Sequence, residues 1–108
     1  NVLVTGPNDA LAPFLEMARG EMREPIRSTG HALPPLLDGF HTLVITEIEL
    51  LDAADQQRLR RWFEERRNPD VQVVSLTSAP LFAIVMAHAF DADLYYRLNT
   101  IYLELQSA

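Results

Sequence analysis

The sequence predicts a single α/β domain, residues 1–108, built on a mainly parallel sheet. Three observations carry that expectation. Short β-branched apolar runs alternate with stretches of helical spacing, the pattern of strands joined by crossover helices. The clearest run, Thr42-Leu43-Val44-Ile45-Thr46, is almost wholly β-branched or apolar, as in a central parallel strand covered on both sides. With 108 residues and 48% hydrophobic side chains, the chain is long enough to bury one core.

The elements follow in order. Val2-Leu3-Val4-Thr5 reads as a buried strand closed by the turn Gly6-Pro7-Asn8-Asp9. Between Asp9 and Met22, apolar residues recur at Leu11, Phe14, Leu15 and Ala18, the spacing of one helix face. Pro13 is then expected in the first turn, where a missing N–H costs little. Pro25 to Ser28 reads as a second short strand. Residues 29–41, with two glycines, two consecutive prolines and Leu33, Leu36 and Leu37, read as a loop holding one helical turn. After the strand at Thr42, Asp52 is a good helix N-cap, and Asp55 favours the positive helix end. The helix it starts buries Leu59, Trp62 and Phe63, exposes an Arg/Glu face, runs to about Arg67 and is broken by Asn68-Pro69-Asp70. Val71 to Leu76 is another buried strand, Ala79 to Ala89 a helix, and Thr100 to Leu105 a final strand.

Composition excludes several functions. The charged side chains are 15 acidic and 9 basic, for a net charge of −6, and every basic residue is arginine. Without lysine there is no ammonium for the β/γ-phosphates of a phosphate loop, and no amine for Schiff-base chemistry. A receiver domain also needs a late lysine and an acidic pair after its first strand, where Thr5-Gly6 stands. Without cysteine there are no disulfides, thiolate metal sites or thiol nucleophiles. Net acidity argues against direct nucleic-acid binding, which rests on neutralising phosphates. The longest apolar stretch, Ala79 to Phe90, is interrupted by His88 and falls short of the ~18 to 20 residues of a membrane span. No signal peptide is visible, and a cytoplasmic location is expected. A chain that starts at Asn1 rather than Met is expected to be an excerpt of a longer protein.

Two stretches point to a family. Thr42-Leu43-Val44-Ile45-Thr46-Glu47-Ile48-Glu49 resembles the Walker B segment TLFLDEIG of the sigma-54-dependent activators. Phe90-Asp91-Ala92-Asp93-Leu94-Tyr95-Tyr96-Arg97-Leu98-Asn99 resembles their FREDLYYRLN. The helix with Gln56, Gln57, Leu59 and Arg60 sits where that family has LQAKLLRVLQE, and Val71 to Ser78 sits where it has VRVIAATN. The resemblance spans essentially the whole chain and is strongest from 42 to 105. It implies a three-layer AAA+/P-loop fold with a mainly parallel five-stranded sheet, without the helical lid subdomain, since the chain stops at Ala108.

The departures bear on function. Where the family has GxxxxGK, Gly6 keeps the first glycine's place, but the second falls on Leu11 and the lysine on Ala12, followed by Pro13. Backbone curling around phosphate and charge neutralisation are both lost. Thr46 replaces the Walker B aspartate while Glu47 remains, and one carboxylate does not readily serve both metal anchoring and water activation. The sensor asparagine aligns with Ser78. Of two expected arginines, the first is Asp91, which would repel a neighbouring subunit's nucleotide, and Arg97 persists. Residues 29–41 hold no GAFTGA loop.

The resemblance therefore implies vestigial nucleotide-site positions at Gly6, Glu47, Ser78 and Arg97, with no catalytic residue, metal or cofactor. Glu47 is expected to cap the next element or pair with an arginine, and Arg97 to be structural. Tyr95 and Tyr96 are expected to be one core ring and one partly exposed ring, the latter suited to a protein interface beside Arg97. His31, His41 and His88 stand singly, without metal-ligand spacing. Arg58, Arg60, Arg61, Arg66 and Arg67 form a solvated helix face balanced by Glu64 and Glu65, and no GxSxG elbow supports serine hydrolysis. The expected function is a non-catalytic regulatory or protein-interaction domain, monomeric or weakly homo-oligomeric. The alternative is a switch that holds ATP without hydrolysing it, using N–H groups at the Gly6–Asp9 turn, against which the charge of Asp9 weighs.

Overall fold

A computed structural model describes residues 1–36, 39–65 and 70–106. Strands β1 (Val2–Thr5), β2 (Ile26–Thr29), β3 (Thr42–Ile45), β4 (Gln72–Thr77) and β5 (Ile101–Glu104) form one sheet in the order β2-β3-β4-β1-β5. Each of its pairings is parallel. Parallel neighbours need crossovers, and helices supply them: α1 (Asn8–Ala18), α2 (Ala53–Glu65), α3 (Leu81–Met86) and α4 (Ala92–Leu98).

The period-2 alternation of the strands divides their side chains between two cores. Val4, Val44, Val74 and Leu76 face Leu11, Phe14 and Leu15 of α1. Leu3, Leu43, Ile45 and Val73 face the other way, onto Leu59 and Phe63 of α2, Leu81 and Val85 of α3, and Leu94, Tyr95 and Leu98 of α4. The result is three layers with the sheet in the middle. Leu43, Val44 and Ile45 are wholly buried, which explains why β3 reads as one continuous apolar run. Each such side chain contributes about 1.5–3 kcal/mol of burial.

Several local expectations need correction. α1 begins at Asn8, and Pro13 lies inside the helix, past its first turn. There its missing N–H removes the bond to the carbonyl one turn back. The loop after β2 has no helical turn among its described residues, and Leu37 lies outside them. The helix expected over 79–89 is confined to Leu81–Met86, because Thr77, Ala79 and Pro80 form a turn before it and His88 adopts a left-handed conformation (φ 61°) after it. α4, which no periodic pattern announced, is a separate short helix. The capping role of Asp52 is observed: its Oδ1 accepts from the Asp55 N–H at 2.7 Å. Arg66, Arg67, Asn68 and Pro69, the expected end of α2, lie outside the described residues.

Candidate functional site

In open α/β sheets, ligands bind beyond the carboxyl ends of the strands. Here the ends of β1, β3 and β4 converge there. β1 passes through Gly6 and Pro7 directly into α1, with Pro7 as the N-cap residue in an extended conformation. The N–H groups of Ala10 and Leu11 donate to the Pro7 carbonyl at 2.9 and 3.1 Å. Leu11 and Ala12 therefore stand within the helix, and Leu11 is buried in the core against the sheet. Gly6 donates its N–H to the Thr77 carbonyl. A Cβ added at Gly6 would come within 2.8 Å of the Leu105 Cβ, so close approach of the chain after β5 accounts for the glycine.

Beyond β3, Thr46 extends the pairing with β2, donating its N–H (2.9 Å) and its hydroxyl (3.3 Å) to the Thr29 carbonyl. Glu47 follows in a left-handed conformation, φ 55° and ψ 43°, unusual for a residue with a side chain. Its Oε2 lies 2.6 Å from His31 Nδ1, in an exposed pair. The expectation that Glu47 caps the next element or meets an arginine is thus corrected: the partner is His31, and the side chain makes no capping bond to the turn Ile48–Leu50. Ser78 is exposed just past β4.

Between these ends lies a cavity of about 210 Å³, lined by Asn8, Leu11, Ala12, Leu15, Thr46, Glu47, Glu49, Leu76, Thr77 and Ser78. Two of the four vestigial positions, Glu47 and Ser78, thus share one cavity, with Gly6 beside it in the chain. Among the described residues, its charged lining is two carboxylates and no arginine belongs to it. Its apolar wall is the inner face of α1. Among the described residues, no three His, Asp or Glu side chains group as a metal site.

Arg97 is not a lining residue of that cavity. It sits on α4 with Nη2 3.7 Å from Glu64 of α2. Asp91, expected to face a neighbouring subunit, is instead held within the chain. Its Oδ1 accepts from the Leu94 N–H at 2.9 Å as the N-cap of α4, and its Oδ2 accepts from Arg60 Nη1 at 3.0 Å. Arg58 likewise staples the loop after β2, donating to the carbonyls of Leu33 and Pro34 and to Asp55. On the basic helix face the expected pairing with Glu64 is kept by Arg60, whose Nε lies 4.0 Å from Glu64 Oε1. Arg61 is exposed, while Arg58 and Arg60 also reach inward to the contacts just described; Arg66 and Arg67 lie outside the described residues.

Tyr95 is buried, and its hydroxyl accepts from the Asn99 side chain at 3.1 Å. Tyr96 is 69% exposed, with its ring edge-on to Tyr95 at 5.5 Å. The role of one residue, Gln56, is not legible in the sequence, where it serves only to align a helix. Gln56 is buried on α2, where its amide donates to the Leu51 carbonyl (2.8 Å) and accepts from the Asp91 N–H (2.8 Å). It ties the start of α2 to the start of α4. A glutamine on a helix gives no sign of this, since its type is common on exposed faces.

The family model described as the sigma-54 interaction domain matches residues 2–107. Among solved structures, the chain is similar to NtrX from Brucella abortus in complex with ATP, at 17% identity and a TM-score of 0.76, over 98% of this chain and 33% of that one. It is also similar to the RuvB Holliday junction branch migration motor of Thermotoga maritima, at 23% identity and a TM-score of 0.67, over 97% of this chain and 37% of that one. These likenesses show the fold: a parallel five-stranded sheet with flanking helices, of the AAA+/P-loop type. The chain spans about a third of the length of these structures. No curated protein matches it. Among the described residues, no helix is long and apolar enough to cross a membrane.

Proposed function

This chain belongs to the sigma-54 interaction domain family, and we propose that it is a non-catalytic member, a regulatory or protein-interaction domain of a bacterial, cytoplasmic protein linked to transcription control or signalling. The observation that carries this reading is the path of the chain after β1. Gly6 and Pro7 lead straight into α1, so Leu11 and Ala12 are helical where phosphates would need an open cradle of N–H groups. The Ala10 and Leu11 N–H groups are already used by Pro7.

Electrostatics support the same reading. Glu47 and Glu49 line the cavity with no cation among its described lining residues. A phosphate charge about 5 Å from one carboxylate is disfavoured by about 3 kcal/mol at an effective dielectric constant near 20. This weighs equally against a switch that holds ATP without hydrolysing it. Thr46, which stands where the family's magnesium-holding aspartate would be, spends its hydroxyl on the Thr29 carbonyl. The interaction role falls to α4, where Tyr96 is presented beside Arg97; the partner is a protein, and the chain is a monomer or weak homo-oligomer.

Isothermal titration with ATP, with and without magnesium, tests the proposal alongside a phosphate-release assay. No heat of binding into the millimolar range and no turnover are expected. Micromolar binding or measurable hydrolysis refutes it.

A further inference from the structure

Among the described residues, no strand pairs with the outer edge of β5, and the strand is largely apolar. All four residues of the strand are exposed, and three are large: Ile101 (54%), Tyr102 (50%) and Leu103 (38%). Edge strands are ordinarily blunted by lysine, proline or a bulge. None interrupts Ile101–Glu104, which runs in unbroken register with Val2–Thr5.

We propose that this edge pairs with the same edge of a second copy of the chain, antiparallel about a two-fold axis through Leu103, to give a weak dimer with one continuous sheet. The hydrogen-bond parity fits. Ile101 and Leu105 donate their N–H groups inward, to the carbonyls of Asn1 and Thr5. In a parallel ladder the inward donors alternate, so Tyr102 and Glu104 turn their N–H and C=O groups outward. Residues with outward groups form the reciprocal pairs of an antiparallel ladder. With Leu103 on the axis, Tyr102 meets the partner's Glu104 and Glu104 meets the partner's Tyr102, both within the strand.

Charge selects that register over its neighbours. Moving the axis to Glu104, the strand's one charged residue, sets two carboxylates face to face, which is destabilising. Moving it to Tyr102 draws on Thr100, outside the strand. On the axis through Leu103, each Glu104 lies opposite a tyrosine, whose hydroxyl is a donor. Leu103 meets the partner's Leu103 at the closely spaced position of the ladder. Leu105 packs on the α1 side of the sheet and Tyr102 lines a cleft with Phe82 and Tyr95 on the other, so Leu103 and Tyr102 project to opposite faces.

This inference takes the interaction reading above as its context, yet its test is separate from nucleotide titration, so either can fail alone. Sedimentation velocity from about 10 µM to about 1 mM is expected to show a monomer–dimer equilibrium. Leu103→Lys, which sets like charges on the axis, is expected to weaken it at least about tenfold. The chain has no cysteine, so Leu103→Cys offers a second reading that needs no loss of folding. On oxidation it is expected to give a disulfide-linked dimer at least about ten times faster than Ile101→Cys, because closely spaced pairs lie about 4.5 Å apart at Cα. A monomer throughout that range, a ring-sized species, a dimer indifferent to Leu103→Lys, or equal cross-linking of both cysteine variants overturns the proposal.

Discussion

Asp91 is the sharpest place to perturb the molecule, because family resemblance and structure assign it opposite meanings. By resemblance it is a lost arginine, and its replacement should leave stability unchanged. By structure it caps α4 through Leu94 and holds Arg60 across from α2. Removing an N-cap costs about 1 kcal/mol. The ion pair joins side chains that are 34% and 29% exposed, so solvent screening reduces it to about 0.5 kcal/mol. Asp91→Ala is therefore expected to lose about 1.5 kcal/mol, a fall in Tm of about 6 °C for a domain near this size. Asp91→Asn keeps a capping oxygen and is expected to lose only about 2 °C. Asp91→Arg, which restores the family residue, is expected to be worse than alanine, since it removes the cap and sets a second guanidinium against Arg60. Thermal melts by circular dichroism give the ranking, and a double-mutant cycle with Arg60→Ala isolates the ion pair. Equal melting of the alanine and asparagine variants, or a stable Asp91→Arg, refutes the assignment.

Three further outcomes follow from the same geometry. Gly6→Ala is expected to destabilise by about 1–3 kcal/mol, because its Cβ would meet Leu105 at 2.8 Å; chemical denaturation measures this, and an unchanged midpoint contradicts it. Glu47→Gly is expected to stabilise by about 0.5–1 kcal/mol, since relief of a left-handed conformation outweighs an exposed pair with His31; a lowered midpoint would show that the pair matters more. Desolvation by burial pushes the Tyr102 phenol above its usual range near 10, with the charge of Glu104 and then Tyr95 adding to it and a hydrogen bond with Thr5 opposing. A raised pKa favours the protonated form in the folded state, so this contribution is full below pH 10 and lost as pH climbs through the folded value. Urea denaturation at pH 9 and pH 11 is expected to show a smaller alkaline loss in Tyr102→Phe than in the parent chain.

What could be read from residues alone was set by periodicity. β1, β3 and β4 are covered on both faces, so their apolar runs stand out without a partner in view. α2 is long enough for Leu59 and Phe63 to mark its inner face, and Asp52 announces its start. α4 spans less than two full turns of spacing and left no such trace. β5 reads the same as a buried strand, because apolar composition does not distinguish the middle of a sheet from its edge. The site was harder still. Nothing in the residue type marks Glu47 as left-handed, or Gln56 as the link between α2 and Asp91. The cavity has the same character: it is lined jointly by Leu11 of α1 and Glu47 after β3, a juxtaposition that sequence spacing does not encode.

The substituted positions share a physical logic that supports the proposed loss of nucleotide chemistry. Three of the side chains standing where the family keeps a working group have a local structural task. Leu11 fills the core between α1 and the sheet, Thr46 adds a bond to Thr29, and Asp91 starts α4. A phosphate loop holds its N–H groups open for a ligand, and in its absence those groups need partners of their own. Here the Pro7 carbonyl provides one, by letting the helix begin a turn early. Reinstating lysine at Ala12 alone would leave that helical turn in place and set the ammonium beside Glu47 and Glu49. Recovery of nucleotide binding therefore requires at least a remodelled loop, and Ala12→Lys is expected to leave ATP titrations flat.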